Sequence, residues 1–160
     1  MPTLYMMIGS PGSGKSTWAH KFQQNRLNTM YISRDEIRMS ILADNEQYFS
    51  HEDDVYEHFV EAIVNGLVHN YDVIADATHL SRNSRIKLVK SLQAHALLAE
   101  QYEIIFIHML TPLDECVRRD ALRQGRAHVT DTVIRRMWYQ AQAPQIHEFP
   151  NVKGVWSIYE

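Results

Sequence analysis

Residues Gly9-Ser10-Pro11-Gly12-Ser13-Gly14-Lys15-Ser16-Thr17 fill the pattern G-x-x-x-x-G-K-[ST], and no other stretch restricts the fold of this chain so tightly. A glycine loop of this kind functions between a strand and a helix. The apolar run at residues 4–8 ahead of it reads as a buried strand, and Trp18-Ala19-His20-Lys21-Phe22 behind it opens a helix. Strand, loop and helix together aim backbone N–H groups and a helix N-terminus at one point, where an anion of several charges fits. A nucleoside triphosphate is the usual occupant. On this reading residues 9–17 line the phosphate site, Lys15 reaches the β- and γ-phosphates, and the Ser16 hydroxyl holds the metal. The expected cofactors are ATP and Mg²⁺.

The rest of the pattern agrees with a strand–helix alternation. Apolar runs at 30–32, 73–75 and 104–109, with a weaker one at 155–158, are expected strands. Between them, Val55, Phe59, Ile63 and Leu67 repeat every four residues, as do Ile86, Val89, Leu92 and Ala96. Leu113, Val117 and Ala121 mark a further helix, and Val133 and Met137 another. Alternation of this kind implies crossover connections, hence an α/β fold with a central parallel sheet and helices on both faces. The 160 residues, 45% of them hydrophobic, amount to a single domain spanning 1–160. Residues 43–53 are polar and read as a mobile loop, and 142–150 lead irregularly into the last strand.

Composition narrows the class further. A formal net charge of −3 argues against a generic duplex binder, so any nucleic-acid contact is local. The one cysteine, Cys116, excludes an intrachain disulfide and reads as a small core residue. No apolar run is long enough to span a bilayer, so no membrane partner is expected. The first strand begins at once, with no signal peptide before it, which makes a cytoplasmic protein the expectation. The oligomeric state stays open.

Ligands in parallel sheets bind beyond the carboxyl ends of the strands. That rule puts residues 9–16, 33–35 and 76–79 on one rim. Ser33 and Glu36 form a capping box, so a helix opens directly after the second strand. Asp35 falls in its first turn, where the helix dipole favours a carboxylate, and Arg38 lies three residues on along the same face. The simplest account is an i,i+3 ion pair. The position suggests more: a carboxylate facing the γ-phosphate can orient an acceptor hydroxyl and take its proton, and Arg38 can neutralise a phosphate on the acceptor or on the transferring group. Asp76, at the tip of the third strand, either holds a water of the Mg²⁺ shell or orients Arg38 by a salt bridge. Arg82 and Arg85 begin the next helix close to the acceptor side. The stretch 118–126 carries Arg118, Arg119, Arg123 and Arg126 around Gly125, the layout of a short lid between two helices. Such arginines can close over a triphosphate and stabilise charge in the transition state.

With these pieces in order, the chain resembles the P-loop kinase domain of phage 5′-polynucleotide kinases. The resemblance covers most of the chain and is densest at 9–18, 33–40, 74–85 and 117–138. Its specific part is Gly-Ser-Pro-Gly-Ser-Gly-Lys-Ser-Thr-Trp followed by Ser-Arg-Asp-Glu-Ile-Arg. The resemblance implies a P-loop NTPase kinase fold and transfer of the γ-phosphate of ATP to the 5′-hydroxyl end of DNA or RNA. It implies that Lys15 and Ser16 bind phosphate and metal, that Asp35 is the general base, and that Arg38 contacts the acceptor's phosphate. Asp76 matches an acidic strand-end residue that the family needs. Arg123 matches the family's essential lid arginine, with Arg126 as the competing assignment. His79 and Asp120 each stand where Asn is common. The wider group includes kinases of nucleosides, sugars and sugar nucleotides, which the phosphate loop does not separate, and a non-enzymatic nucleotide-dependent binding module is the rival from another class.

Overall fold

In the computed structural model, residues 1–95, 98, 101–125 and 128–159 are described. Five strands, β1 (Thr3–Ile8), β2 (Thr29–Ser33), β3 (Asp72–Asp76), β4 (Glu103–Met109) and β5 (Val152–Ile158), form one sheet in the order β2-β3-β1-β4-β5. Every neighbouring pair is parallel, with Met6 opposite Ala75 on one side and Phe106 on the other. All strands therefore deliver their carboxyl ends to one rim, as the alternation implies. All five expected strands are present, each somewhat longer than its apolar run.

Side-chain alternation along β1 explains the two layers of core. Leu4, Met6 and Ile8 point to one face, where α3 (Glu52–Val68) and α4 (Arg82–Gln93) cover them with Phe59, Ile63, Leu67, Leu88 and Leu92. Tyr5 and Met7 point to the other, against Ala19 and the half-buried Trp18 and Phe22 of α1 (Lys15–Gln23). Two shorter helices border the rim: α2 (Arg34–Ile41) and α5 (Leu113–Ala121). A last helix, α6 (Asp131–Gln140), follows the lid.

Two of the expected helix faces are rotated. In α4 the buried positions are Arg85, Leu88, Val89 and Leu92, with Ile86 half-buried and Ala96 outside the described residues. In α5 they are Cys116 and Asp120, while Ala121 is exposed. In both cases a polar side chain bonded to other parts of the chain takes a core position that apolar periodicity cannot reveal. Among the described residues, no helix is long and apolar enough to cross a membrane.

Candidate active site

The phosphate loop joins β1 to α1 as the motif requires. Gly12 and Gly14 have φ of 81° and 91°, conformations in which L side chains are strained. A Cβ on Gly12 would also lie 2.5 Å from the Cys116 carbonyl oxygen, so this turn packs against α5 with no room to spare. Gly9 donates its N–H to the Thr78 carbonyl, and Ser13 offers its carbonyl to the Thr111 hydroxyl at 2.6 Å. The loop is thereby tied to the ends of β3 and β4 on either side of β1. Ser10 is buried with its hydroxyl on the Cys116 sulfur, Pro11 sits half-buried at the crest, and Thr17 is exposed on the first turn of α1. Cys116 is thus the small core residue expected, placed beneath the loop.

Lys15 is half-buried. Its Nζ donates to the Gly9 and Ser10 carbonyls at 3.0 and 3.1 Å. Burial pulls its pKa down, and the Asp76 carboxylate works against that shift. The Ser16 hydroxyl donates to Asp76 Oδ2 at 2.9 Å, and the Tyr31 hydroxyl donates to the same oxygen while lying 3.3 Å from Ser16 Oγ. Burial, followed by the negative charge of Asp76, pushes the Tyr31 phenol well above its usual range. Asp76 thus belongs to the loop serine. The alternative that it pairs with Arg38 is corrected: Arg38 is held elsewhere.

That other partner is Glu52, the first residue of α3. Arg38 Nε and Nη2 make a bidentate pair with its two carboxylate oxygens, both at 2.7 Å, while Nη1 donates to Asp35 at 3.2 Å and to the Tyr48 oxygen at 2.9 Å. Hydrogen bonding from Arg38 pulls the Glu52 pKa down against its partial burial. The Asp35 side chain is 60% exposed, open to the rim, and accepts from the Tyr48 hydroxyl. The Ser33 hydroxyl accepts from the Glu36 N–H, so the cap read from the sequence is formed and places Asp35 in the first turn of α2. Residues 43–53, read as a mobile loop, instead carry hydrogen-bonded turns through 50 and open α3 at Glu52, which brings Tyr48 and Glu52 to this site.

The lid arginines separate by partner. Arg118 is exposed and paired with Glu115. Arg119 also binds Glu115, and its Nη1 donates to the Gly12 carbonyl at 3.3 Å, leaning over the phosphate loop. Arg123 is exposed, just beyond the end of α5. Arg126, the competing lid assignment, lies outside the described residues. Buried Asp120 anchors the far end of the lid by accepting from the N–H groups of Val129 and Thr130 at 2.8 and 3.1 Å. Thr130 has φ 95°, an uncommon conformation for a β-branched residue, and this clamp holds it.

The acceptor-side reading of Arg85 is corrected. Its side chain is wholly buried, paired with Glu148 at 2.9 and 3.1 Å, and donates to the carbonyls of His79, Leu80 and Gln142. A guanidinium has five donors, and here they are consumed inside the protein. Arg82 is exposed at the same helix start, with its backbone N–H on the Gln142 side chain. His79 is buried with Nδ1 donating to the Met7 carbonyl at 2.8 Å. Burial lowers its pKa to about 4, so it is a neutral structural group beneath the rim.

A glycine cradle with its lysine and serine, a strand-end acid on that serine, and an exposed carboxylate at the start of α2 on the same rim make this a P-loop kinase. The chain belongs to the AAA domain family, whose model matches residues 4–144. Among solved structures, it is similar to a chain of the Pnkp1/Rnl/Hen1 RNA repair complex, with 26% identity and a TM-score of 0.73 over 87% of this chain. It spans only 43% of that chain's length. It also shares its fold with Chaetomium thermophilum Kti12 in complex with ADP-AlF3, at 14% identity and TM-score 0.68 over 99% of this chain and 89% of that one. A gluconokinase from Sinorhizobium meliloti 1021 has the fold too, at 17% identity and TM-score 0.57, over 99% and 82% of the two chains.

Proposed function

We propose that this protein transfers the γ-phosphate of ATP, with Mg²⁺, to the 5′-hydroxyl end of DNA or RNA, acting as a single domain over residues 1–160. The observation that carries the transfer reaction is the exposed Asp35 carboxylate on the same rim as the Lys15 loop, held in place by Arg38. A nucleotide switch needs no carboxylate there, which disfavours a non-enzymatic binding module. The 26% likeness to a chain of an RNA repair complex supports a polynucleotide acceptor over a sugar.

In this reading the N–H groups of residues 9–17 and Lys15 hold the triphosphate, and Arg119 and Arg123 close over it from the lid. Ser16 Oγ and Asp76 are hard oxygen donors 2.9 Å apart at the mouth of the cradle. Among the described residues, no cluster of three or more His, Cys, Asp or Glu makes a self-sufficient metal cage. Ser16 and Asp76 would hold a small divalent ion, whose preference for hard oxygen donors they match. When bound, it would offset charge on the transferring phosphoryl group. Asp35 orients the acceptor hydroxyl and takes its proton, which leaves late in a loose transition state.

Arg38 is already bidentate with Glu52, so an acceptor phosphate would meet its one remaining Nη2 donor or displace the carboxylate. Its contribution to acceptor choice is therefore smaller than that of an unpaired arginine. Of the two arginines read from the start of α4 as acceptor-side cations, Arg82 is the exposed one. The test is phosphorylation from labelled ATP across 5′-hydroxyl oligonucleotides, a nucleoside, its 3′-monophosphate and gluconate. Preference for the oligonucleotide and the 3′-monophosphate is the expected result. A bare nucleoside or gluconate used equally well would replace the polynucleotide reading with a small-molecule kinase.

A further inference from the structure

The segment between α2 and α3 is held in shape by its own bonds. Glu46 and Ser50 donate their N–H groups to the carbonyls of Ala43 and Gln47, both at 3.1 Å, and the Glu46 carboxylate accepts from the Ala43 N–H at 2.8 Å. These turns lay Tyr48 over the acceptor side. Its ring meets Phe49 edge-on, with centroids 4.7 Å apart, and the Arg38 guanidinium lies 4.5 Å from its centre. Arg38 is itself fixed by Glu52. The phenol oxygen is thereby located between two groups: Arg38 Nη1, which donates to it at 2.9 Å, and Asp35 Oδ1, to which it donates. A hydroxyl donating to Asp35 is what the proposed reaction consumes. In this state the hydroxyl on that carboxylate belongs to the protein's own chain.

We propose that Tyr48 is a self-phosphorylation site, taking the γ-phosphate of bound nucleoside triphosphate when no external acceptor fills its place. The inference rests on the reading of Asp35 as the base. In the step, Tyr48 Oη forms a bond to the γ-phosphorus. The bond from that phosphorus to the β–γ bridging oxygen breaks, the nucleoside diphosphate leaves with the electron pair, and the phenolic proton passes to Asp35. Burial and the hydrogen bond to Asp35 raise the phenol's pKa to about 12, so it stays protonated up to the transfer, as an alcohol acceptor does. The product is an aryl phosphate that no longer donates to Asp35 and is repelled by it, which would vacate the acceptor position. Tyr31, the other phenol at the rim, is committed to Asp76 and Ser16 and does not meet Asp35 in any bond described.

The experiment incubates the full chain with γ-labelled ATP and Mg²⁺, without acceptor, and locates label by tandem mass spectrometry. Label on Tyr48 approaching one phosphate per chain is expected, at a first-order rate independent of protein concentration. Tyr48→Phe and Asp35→Asn should each lose at least about 100-fold of that rate while keeping a native circular dichroism spectrum. Tyr71→Phe, at an exposed tyrosine just before β3 and so at the end of the strand away from the rim, should still acquire label at Tyr48. Label on another residue, label that survives Asp35→Asn, or a rate that rises with protein concentration would overturn the inference. A parallel reaction with a 5′-hydroxyl oligonucleotide separates the two readings. A labelled oligonucleotide in that reaction, with no label on Tyr48 in the acceptor-free one, overturns self-transfer and leaves the acceptor reading standing. Labelled Tyr48 with no labelled oligonucleotide does the reverse, and no label on either overturns both.

Discussion

The pair Arg85–Glu148 gives the sharpest test of how the rim is built. Glu148→Gln keeps the side-chain shape and removes the charge. Two charge-assisted bonds from Arg85, at 2.9 and 3.1 Å, lose their anion, and the acceptor of the Gln145 N–H at 2.7 Å is weakened. The guanidinium stays wholly buried with only neutral acceptors, backbone carbonyls and one amide oxygen, to answer its charge. Breaking a buried pair from one side costs about 3–5 kcal/mol, because an uncompensated charge is left in the interior. A domain of this size has about 5–15 kcal/mol in total, so up to most of the margin is at stake. At about 2–4 °C per kcal/mol for chains of 150–250 residues, the melting temperature should fall by roughly 6–20 °C. Calorimetry and urea titration measure both quantities. The double variant Arg85→Met with Glu148→Leu should be less damaged than either single change, since neither charge is then stranded. A loss under about 0.5 kcal/mol for Glu148→Gln would refute the argument, because that is the range of an ordinary surface substitution. So would an Arg85→Met protein of native stability with a selective loss of acceptor binding, which would restore the acceptor role.

Asp35→Asn should retain ATP affinity by titration and lose about 10²–10⁴-fold in transfer to an alcohol; normal turnover would reduce Asp35 to a helix-terminus residue. Lys15→Ala should lower turnover by several kcal/mol of transition-state stabilisation while circular dichroism stays native, because the side chain binds two loop carbonyls and no apolar core. Arg123→Ala should depress kcat more than ATP affinity, whereas Arg119→Ala, which also frees the Gly12 carbonyl, should weaken both. His79 gives a pH signature: its folded pKa of about 4 lies below the unfolded 6.5, so the unfolded chain binds the proton first. Its contribution is complete above pH 6.5 and drains away down to about pH 4, amounting to roughly 3 kcal/mol at about 1.4 kcal/mol per unit. His79→Asn, melted across that range, should show a shallower acid slope; an unchanged slope would refute the assignment.

The features legible in the sequence are those set by residues near one another along the chain. The glycines at 12 and 14 report a positive φ, Ser33 and Glu36 report a helix start, and alternating apolar runs report strands that need crossovers. These determined the parallel sheet, the phosphate loop and the position of Asp35 on the rim. Contacts made across the fold were not legible, because no local pattern encodes which distant partner a charge will find. Ser16 and Asp76 are 60 residues apart, Tyr31 and Asp76 are 45 apart, and Arg85 and Glu148 are 63 apart. The i,i+3 spacing of Asp35 and Arg38 was visible, while Glu52 and Tyr48 came from a stretch that reads as polar loop. Arg85 at the head of an amphipathic helix looks like a surface cation until the 141–151 segment folds over it and supplies Glu148. Only the tertiary structure decided which arginines are free to meet a ligand, since a buried guanidinium is stable only where the rest of the chain brings it an anion.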